Sequence, residues 1–232
     1  VEGLQEKEQI RNLFGKYVHP SIVSGLIDNP DDLAVEGRLQ VQTLMFSDVA
    51  GFVGISSQMN AEETVALLNE YLGAMTAEIT RADGILDKYL GDGIMAFFGP
   101  PFTPGNHALA ACRAALKMDQ RLGQMREVWA EQGLPPIHAR IGLATGEVIV
   151  GNIGSEQTRD YTCIGETVNL ASRLEGVNKY YGTSIIVDAG TRDLLGRNVA
   201  VRELDIIKVL GSDEPVRIFE IQALADDQTA LQ

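Results

Sequence analysis

An α+β fold is predicted by the order of apolar patterns along the chain. Between residues 38 and 150, short apolar runs alternate with long stretches whose apolar residues recur every three or four positions. Gly91-Asp92-Gly93 and Gly99-Pro100-Pro101 punctuate them. Read in sequence the elements are βαββαβ, which matches a ferredoxin-like sheet with its helices on one face, extended by later strands and helices.

Leu39 to Phe46 reads as a buried strand ending at Ser47 and Asp48. Residues 61–82 carry Val65, Leu68, Leu72, Met75 and Ile79 at helical spacing, so they form an amphipathic helix. Ile85 to Leu90 and Ile94 to Phe98 form a hairpin about Gly91, Asp92 and Gly93. A helix spans about 106–131, followed by strand material at Ile137 to Leu143 and Glu147 to Val150 on either side of Gly146. A helix over 166–180, a strand over 184–187, a short helix over 190–195 and strands over 200–209 and 215–222 complete the pattern. Upstream, Ile10, Leu13, Phe14 and Val18 stand at helical spacing before Pro20, and Ile22 to Ile27 make a second short run. The expected organisation is a linker or signalling helix over 1–37, one folded domain over 38–222 and a frayed tail over 223–232.

The 232 residues include 19 Lys and Arg against 32 Asp and Glu, a formal charge of −13. Nonspecific nucleic-acid binding needs a basic footprint, so this composition excludes it. With 45% hydrophobic residues the chain can bury a core. Cys112 and Cys163 have neither disulfide nor zinc spacing, which points to a reducing compartment. No apolar run is long enough to span a bilayer and no signal-peptide pattern opens the chain, so a cytoplasmic, soluble domain is expected. Its start at Val1 suggests a fragment whose sensor or membrane segments lie upstream.

Asp48 ends a predicted buried strand, before the small-residue loop Val49, Ala50, Gly51, Phe52, Val53 and Gly54. Asp92 sits in the hairpin turn, and the sheet order makes these two strand tips neighbours. Paired there, the carboxylates form an oxygen-rich site suited to Mg²⁺ or Mn²⁺; alternatively Asp48 caps the next segment and Asp92 is a turn residue. The loop also offers backbone N–H groups to an anion. Asn169 and Arg173 are four apart on the predicted helix, able to orient a ribose and neutralise a phosphate, or else to pair with Glu166 and cap locally. Lys88 is either a ligand contact or a surface lysine paired with Asp87.

Four stretches then carry a family resemblance: Phe46-Ser47-Asp48-Val49-Ala50-Gly51-Phe52; Asp87-Lys88-Tyr89-Leu90-Gly91-Asp92-Gly93; Gly142-Leu143-Ala144-Thr145-Gly146-Glu147-Val148 with Gly151-Asn152-Ile153-Gly154; and Gly165-Glu166-Thr167-Val168-Asn169-Leu170-Ala171-Ser172-Arg173-Leu174. Over residues 38–222 the chain resembles the class III nucleotidyl cyclase catalytic domain, the adenylyl and guanylyl cyclase family. The resemblance implies that Asp48, Asp92 and the Val49 carbonyl hold two Mg²⁺ or Mn²⁺ ions per active site. It implies a head-to-tail homodimer with two interfacial sites, in which these ligands face Lys88, Thr162, Asn169 and Arg173 of the partner chain. Lys88 and Thr162 match the purine-reading positions, with Gly51, Phe52 and Arg159 as further substrate contacts.

A lysine donor suits N1 of adenine, whereas guanine offers an N1–H that prefers a carboxylate. Thr162 can accept from the exocyclic amine, although its hydroxyl can also donate. The implied reaction is attack of the ATP 3′-hydroxyl on the α-phosphorus, giving cyclic AMP and pyrophosphate, with Asn169 placing the ribose and Arg173 stabilising the α-phosphate. His19, His107 and His138 lie outside these motifs, so no histidine base is expected. The Thr-bearing subgroup includes bicarbonate-responsive enzymes, which makes bicarbonate a candidate activator. One departure stands out: the family's phosphate-contacting lysine position holds Leu210, with Lys208 as the nearby substitute. A guanylyl cyclase and a catalytically silent regulatory module are the rival readings.

Overall fold

The computed structural model describes residues 22–23, 37–209 and 214–225. β1 (Arg38–Val49) leads through α1 (Phe52–Ser56) and α2 (Ala61–Arg81) to the hairpin of β2 (Ile85–Leu90) and β3 (Gly93–Phe98), and α3 (His107–Glu131) returns the chain to β4 (Ala139–Gly154). β5 (Arg159–Ile164), α4 (Glu166–Tyr181), β6 (Ile185–Asp188), α5 (Ala189–Leu195), β7 (Val199–Ile207) and β8 (Val216–Leu224) follow. The sheet runs β2-β3-β1-β4-β6-β8-β7, with β5 paired to β4 off this path. The βαββαβ core is therefore present, and its first, third and fourth strands are direct neighbours. Among the described residues no helix is long and apolar enough to cross a membrane.

Local chemistry explains the long helices. Asn60 opens α2 with a capping box: its side chain accepts from Glu63 N at 2.8 Å while Glu63 Oε2 accepts from Asn60 N at 3.1 Å. Asn106 caps α3 in the same sense, through Leu109 N at 3.0 Å. α3 buries Cys112, Met118, Leu122 and Trp129, and the Trp129 indole N–H donates to Glu70 of α2 at 3.1 Å.

The two helices of the βαββαβ core, α2 and α3, lie on one face as expected, and α4, which follows the core, covers the other. Leu44 and Met45, consecutive on β1, enter opposite apolar clusters: Met45 packs with α2 and α3, Leu44 with Ala171 and Leu174 of α4. β3 is buried at all six of its positions, and a strand of that kind needs cover on both sides. Over Phe97 of β3 that second cover is Tyr161 of β5; over β1, β4 and β6 it is α4. α4 sits so close that a Cβ on Gly142 would meet Glu175 N at 2.2 Å and Ala171 O at 2.3 Å.

Other expectations shift in detail. The strand material on either side of Gly146 is one continuous strand, β4. Gly146 does not break it; the missing side chain admits Thr167, whose Oγ1 would lie 2.6 Å from a Cβ there. The loop after Asp48 contains the short helix α1, entered through Gly51 in the left-handed region at φ 73°. β5 went unread because Arg159, Asp160 and Thr162 break its apolar pattern, and β8 continues to Leu224, beyond residue 222. Of the linker helix expected over 1–37, Ile22 and Val23 are described and buried, Ile22 within the cluster beneath α4. The rest of it up to residue 36, together with 210–213 and 226–232, lies outside the described residues.

Candidate active site

The antiparallel pairing of β1 with β3 sets Ser47 opposite Ile94, and the turn between Leu90 and Gly93 places Asp92 against the end of β1. The Asp48 and Asp92 carboxyls share a hydrogen bond, and Val49 N donates to Asp92. Partial burial, followed by that bond and the charge of Asp48, pushes Asp92 up to about 6. Asp48 pairs across β4 with Arg140, whose Nη2 donates to Asp48 Oδ2 at 3.3 Å and whose Nε donates to Glu175 Oε1 at 3.0 Å. Burial and then the Asp48 charge raise Glu175 to about 6, with Arg140 opposing. Sequence reasoning missed Arg140 and Glu175; only strand register and the close seat of α4 bring them to Asp48.

Among the described residues no group of three or more His, Cys, Asp or Glu is arranged around a common point. The donors present are the two carboxylates and the neighbouring Val49 carbonyl. These hard oxygens, already forced together, fit a Mg²⁺ or Mn²⁺ requirement.

A second polar group forms where the far half of β4 carries β5 back over the sheet, with Tyr161 packed on Phe97 at 6.3 Å and edge-on to Phe102 at 5.8 Å. Here Lys88 Nζ lies 3.1 Å from Asp160 Oδ2 and 3.5 Å from Asp87 Oδ1. Thr162 Oγ1 donates to Asp87 Oδ2. The Asp87 side chain is 1% exposed, and burial raises its carboxyl against the opposing pull of Thr162 and Lys88. Lys88 and Thr162, matched separately to a purine site, thus meet through a buried carboxylate that the sequence showed only as an ion-pair partner.

Arg173 lines a third place, a cavity of about 590 Å³ shared with Thr145, Glu166, Asp188 and Arg217. Lys208 does not line it. Asn169 is exposed one turn earlier on α4. A buried polar relay fixes the cavity's inner wall: His107 Nδ1, Thr43, Thr145 and Thr191 are joined by three contacts of 2.8 Å. Thr191 and Thr145 also give their backbone N–H groups to Asp188 Oδ1, at 2.9 and 3.2 Å.

Of the remaining candidates, Gly51 and Phe52 start α1, where Phe52 packs on the cluster under α2. Arg159 begins β5 with Nε bonded to the Ser155 carbonyl at 3.3 Å. Among the described residues no hydrogen bond or ion pair joins Asp48 or Asp92 to Lys88, Thr162, Asn169 or Arg173. One protomer therefore carries the expected groups as separate clusters.

The sheet, the carboxylate pair and the polar clusters define a class III nucleotidyl cyclase domain. The family model described as "Adenylate and Guanylate cyclase catalytic domain" matches residues 35–222, and the chain belongs to that family. It is 36% identical over 208 residues to Adenylate cyclase 1 of Rhizobium meliloti, covering 90% of this chain and 31% of that protein. Among solved structures it resembles the adenylyl cyclase CyaB from P. aeruginosa, with a TM-score of 0.76 and 35% identity over 81% of this chain and 96% of that one. The guanylyl cyclase Cya2 is similar at a TM-score of 0.74 and 34% identity, over 83% and 96% respectively. The chain spans about a third of the length of the curated adenylate cyclases it matches.

Proposed function

We propose that this domain converts ATP to 3′,5′-cyclic AMP and pyrophosphate at two sites between head-to-tail protomers. The observation that carries the reading is the Asp48–Asp92 pair, set apart in each protomer from the Lys88–Thr162 and Arg173 clusters. Such half-sites complement one another when two copies face in opposite directions. Asp48, Asp92 and the Val49 carbonyl would hold two Mg²⁺ or Mn²⁺ ions, and Arg140 keeps Asp48 in place. When bound, these ions supply Lewis acidity at the 3′-hydroxyl and charge neutralisation at the triphosphate. Asn169 of the opposing protomer positions the ribose, and Arg173 stabilises charge at the α-phosphate. His107 is held in the threonine relay, so substrate or solvent takes the 3′ proton.

Adenine is favoured by the state of Thr162. Its hydroxyl proton is directed to Asp87, which leaves the oxygen's lone pairs to accept from an exocyclic amine. Guanine offers a carbonyl there and would meet an acceptor. Lys88, beside the same carboxylate, donates to N1 of adenine. Incubation with ATP or GTP and either Mg²⁺ or Mn²⁺, followed by identification of the product, tests the reading. Cyclic AMP and pyrophosphate are expected. Predominant cyclic GMP would establish the guanylyl alternative, and no turnover with either would refute catalysis.

The same proposal places the catalytic unit at 38–222 of a cytoplasmic domain, behind a linker that transmits an upstream signal. Bicarbonate is its candidate activator. A flat activity titration at fixed pH removes bicarbonate from the scheme.

A further inference from the structure

A second cavity, of about 520 Å³, lies between the last turn of α2, the start of α3 and the end of β8, and the proposed reaction leaves it unused. Ala82, Leu109, Ala110, Ala114 and Leu224 give it an apolar lining. Arg113 and Lys117 stand at its edge, one turn apart on α3 and both exposed, and Arg121 continues the same stripe one turn further on. Among the described residues none of these three cations meets a carboxylate; Lys117 and Arg121 donate to Gln120 and Gln124, at 3.0 and 3.2 Å. The cavity's own acids do not neutralise them. Glu78 is paired with Arg81, and Asp83 is exposed, with no ion pair among the described residues. In a chain of charge −13, such a basic stripe beside an apolar hollow is complementary to an acidic segment that also carries an apolar side chain.

The chain has that segment in the right place. β8 ends at Leu224, and Asp226 and Asp227 follow, with Ala230 and Leu231 beyond them. At roughly 3.3 to 3.6 Å per residue, both aspartates fall within about 11 Å of Leu224, itself part of the cavity wall. The other stretches outside the described residues adjoin other places: Ile22 belongs to the cluster beneath α4, and Val209 and Glu214, which flank 210–213, line the Arg173 cavity. We propose that residues 226–232 dock across this second cavity, with Asp226 and Asp227 paired to Arg113 and Lys117 and Leu231 against the apolar lining. The segment expected from the sequence to fray is then a strap from β8 to α3. β8 runs from Val216, at the Arg173 cavity, to Leu224, so the strap anchors the strand at its far end. The inference does not depend on the cyclase reading.

A nitroxide attached at Ala230→Cys tests the docking in the whole chain, because Cys112 and Cys163 are buried and resist labelling. It should broaden the methyl resonances of Leu109 and Ala114 by paramagnetic relaxation. Arg113→Glu with Lys117→Glu should lower that enhancement about threefold or more, as should Asp226→Lys with Asp227→Lys. All four changes together should restore it. Arg113→Gln with Lys117→Gln, which adds no repulsion, should lower it as well, and added salt should weaken it in the parent chain. Equal enhancement in the parent chain and in either Arg113/Lys117 double variant would overturn the inference, as would a charge exchange that fails to restore it. Enhancement seen only when labelled chains are mixed with isotope-labelled, nitroxide-free ones would place the tail on a second copy and overturn the strap within one chain.

Discussion

Asp92 is one residue through which pH acts on this domain and, in the proposed reading, metal as well. Its folded pKa of about 6 lies above the ordinary aspartate value of 3.8, so the folded state holds a proton that the unfolded chain has released. The metal-free domain therefore loses stability as pH rises through that interval. A thermal melt without metal should show a higher midpoint at pH 5 than at pH 7. Added Mn²⁺ should raise the midpoint more at pH 7 than at pH 5; equal shifts at both would remove the carboxylate pair as the binding site. At the proposed purine end, Thr162→Val would remove the oxygen proposed to accept from an exocyclic amine. The ratio of kcat/KM for ATP over GTP should fall about tenfold. Thr162→Ser should preserve it, because the hydroxyl to Asp87 survives. Asp48, Asp92, Lys88 and Thr162 were all legible as motif positions. The bond from Thr162 to Asp87 and the place of Arg140 were not, because they depend on which side chains cross-strand register and chain reversal bring together.

At the scale of elements, β4 and α4 form the central contact. Backbone atoms of α4 occupy the space that a Cβ on Gly142 would need, and backbone yields less readily than a flexible side chain. Gly142→Ala should therefore cost about 3 kcal/mol. For a chain of this size that lowers the melting midpoint by roughly 6 to 12 °C. An unchanged midpoint would show that α4 seats less tightly than drawn. The helices were readable because their apolar residues recur with the helical period and their caps are local. The continuity of β4 through Gly146 was not legible because glycine ordinarily weakens a strand, whereas Gly146 and Gly142 mark where α4 approaches it. β5 escaped notice because its binding partners, β4 on one side and the aromatic pair Phe97 and Phe102 beneath Tyr161, are distant in sequence.

For the whole molecule, the proposed dimer makes a quantitative expectation. Asp92→Ala disables the metal side of each site and Arg173→Ala the partner side, so each variant alone should be inactive. A mixed dimer would keep one intact site, since the intact Asp92 of one protomer meets the intact Arg173 of the other. Equimolar co-refolding should restore about a quarter of the parental activity, as random pairing makes half the dimers mixed. No recovery, with dimerisation verified by ultracentrifugation, would argue that each protomer works alone.

The sequence by itself determined the βαββαβ core and the two carboxylates at its strand tips, because both follow from local periodicity, turn residues and short motifs. It also set the acidic balance, a formal charge of −13. Tertiary structure decided that α4 covers the second face, that Thr162 gives its proton to Asp87, and that Leu224 of β8 shares a cavity with Arg113 of α3. Each of these depends on groups far apart along the chain meeting in space, which no local pattern records.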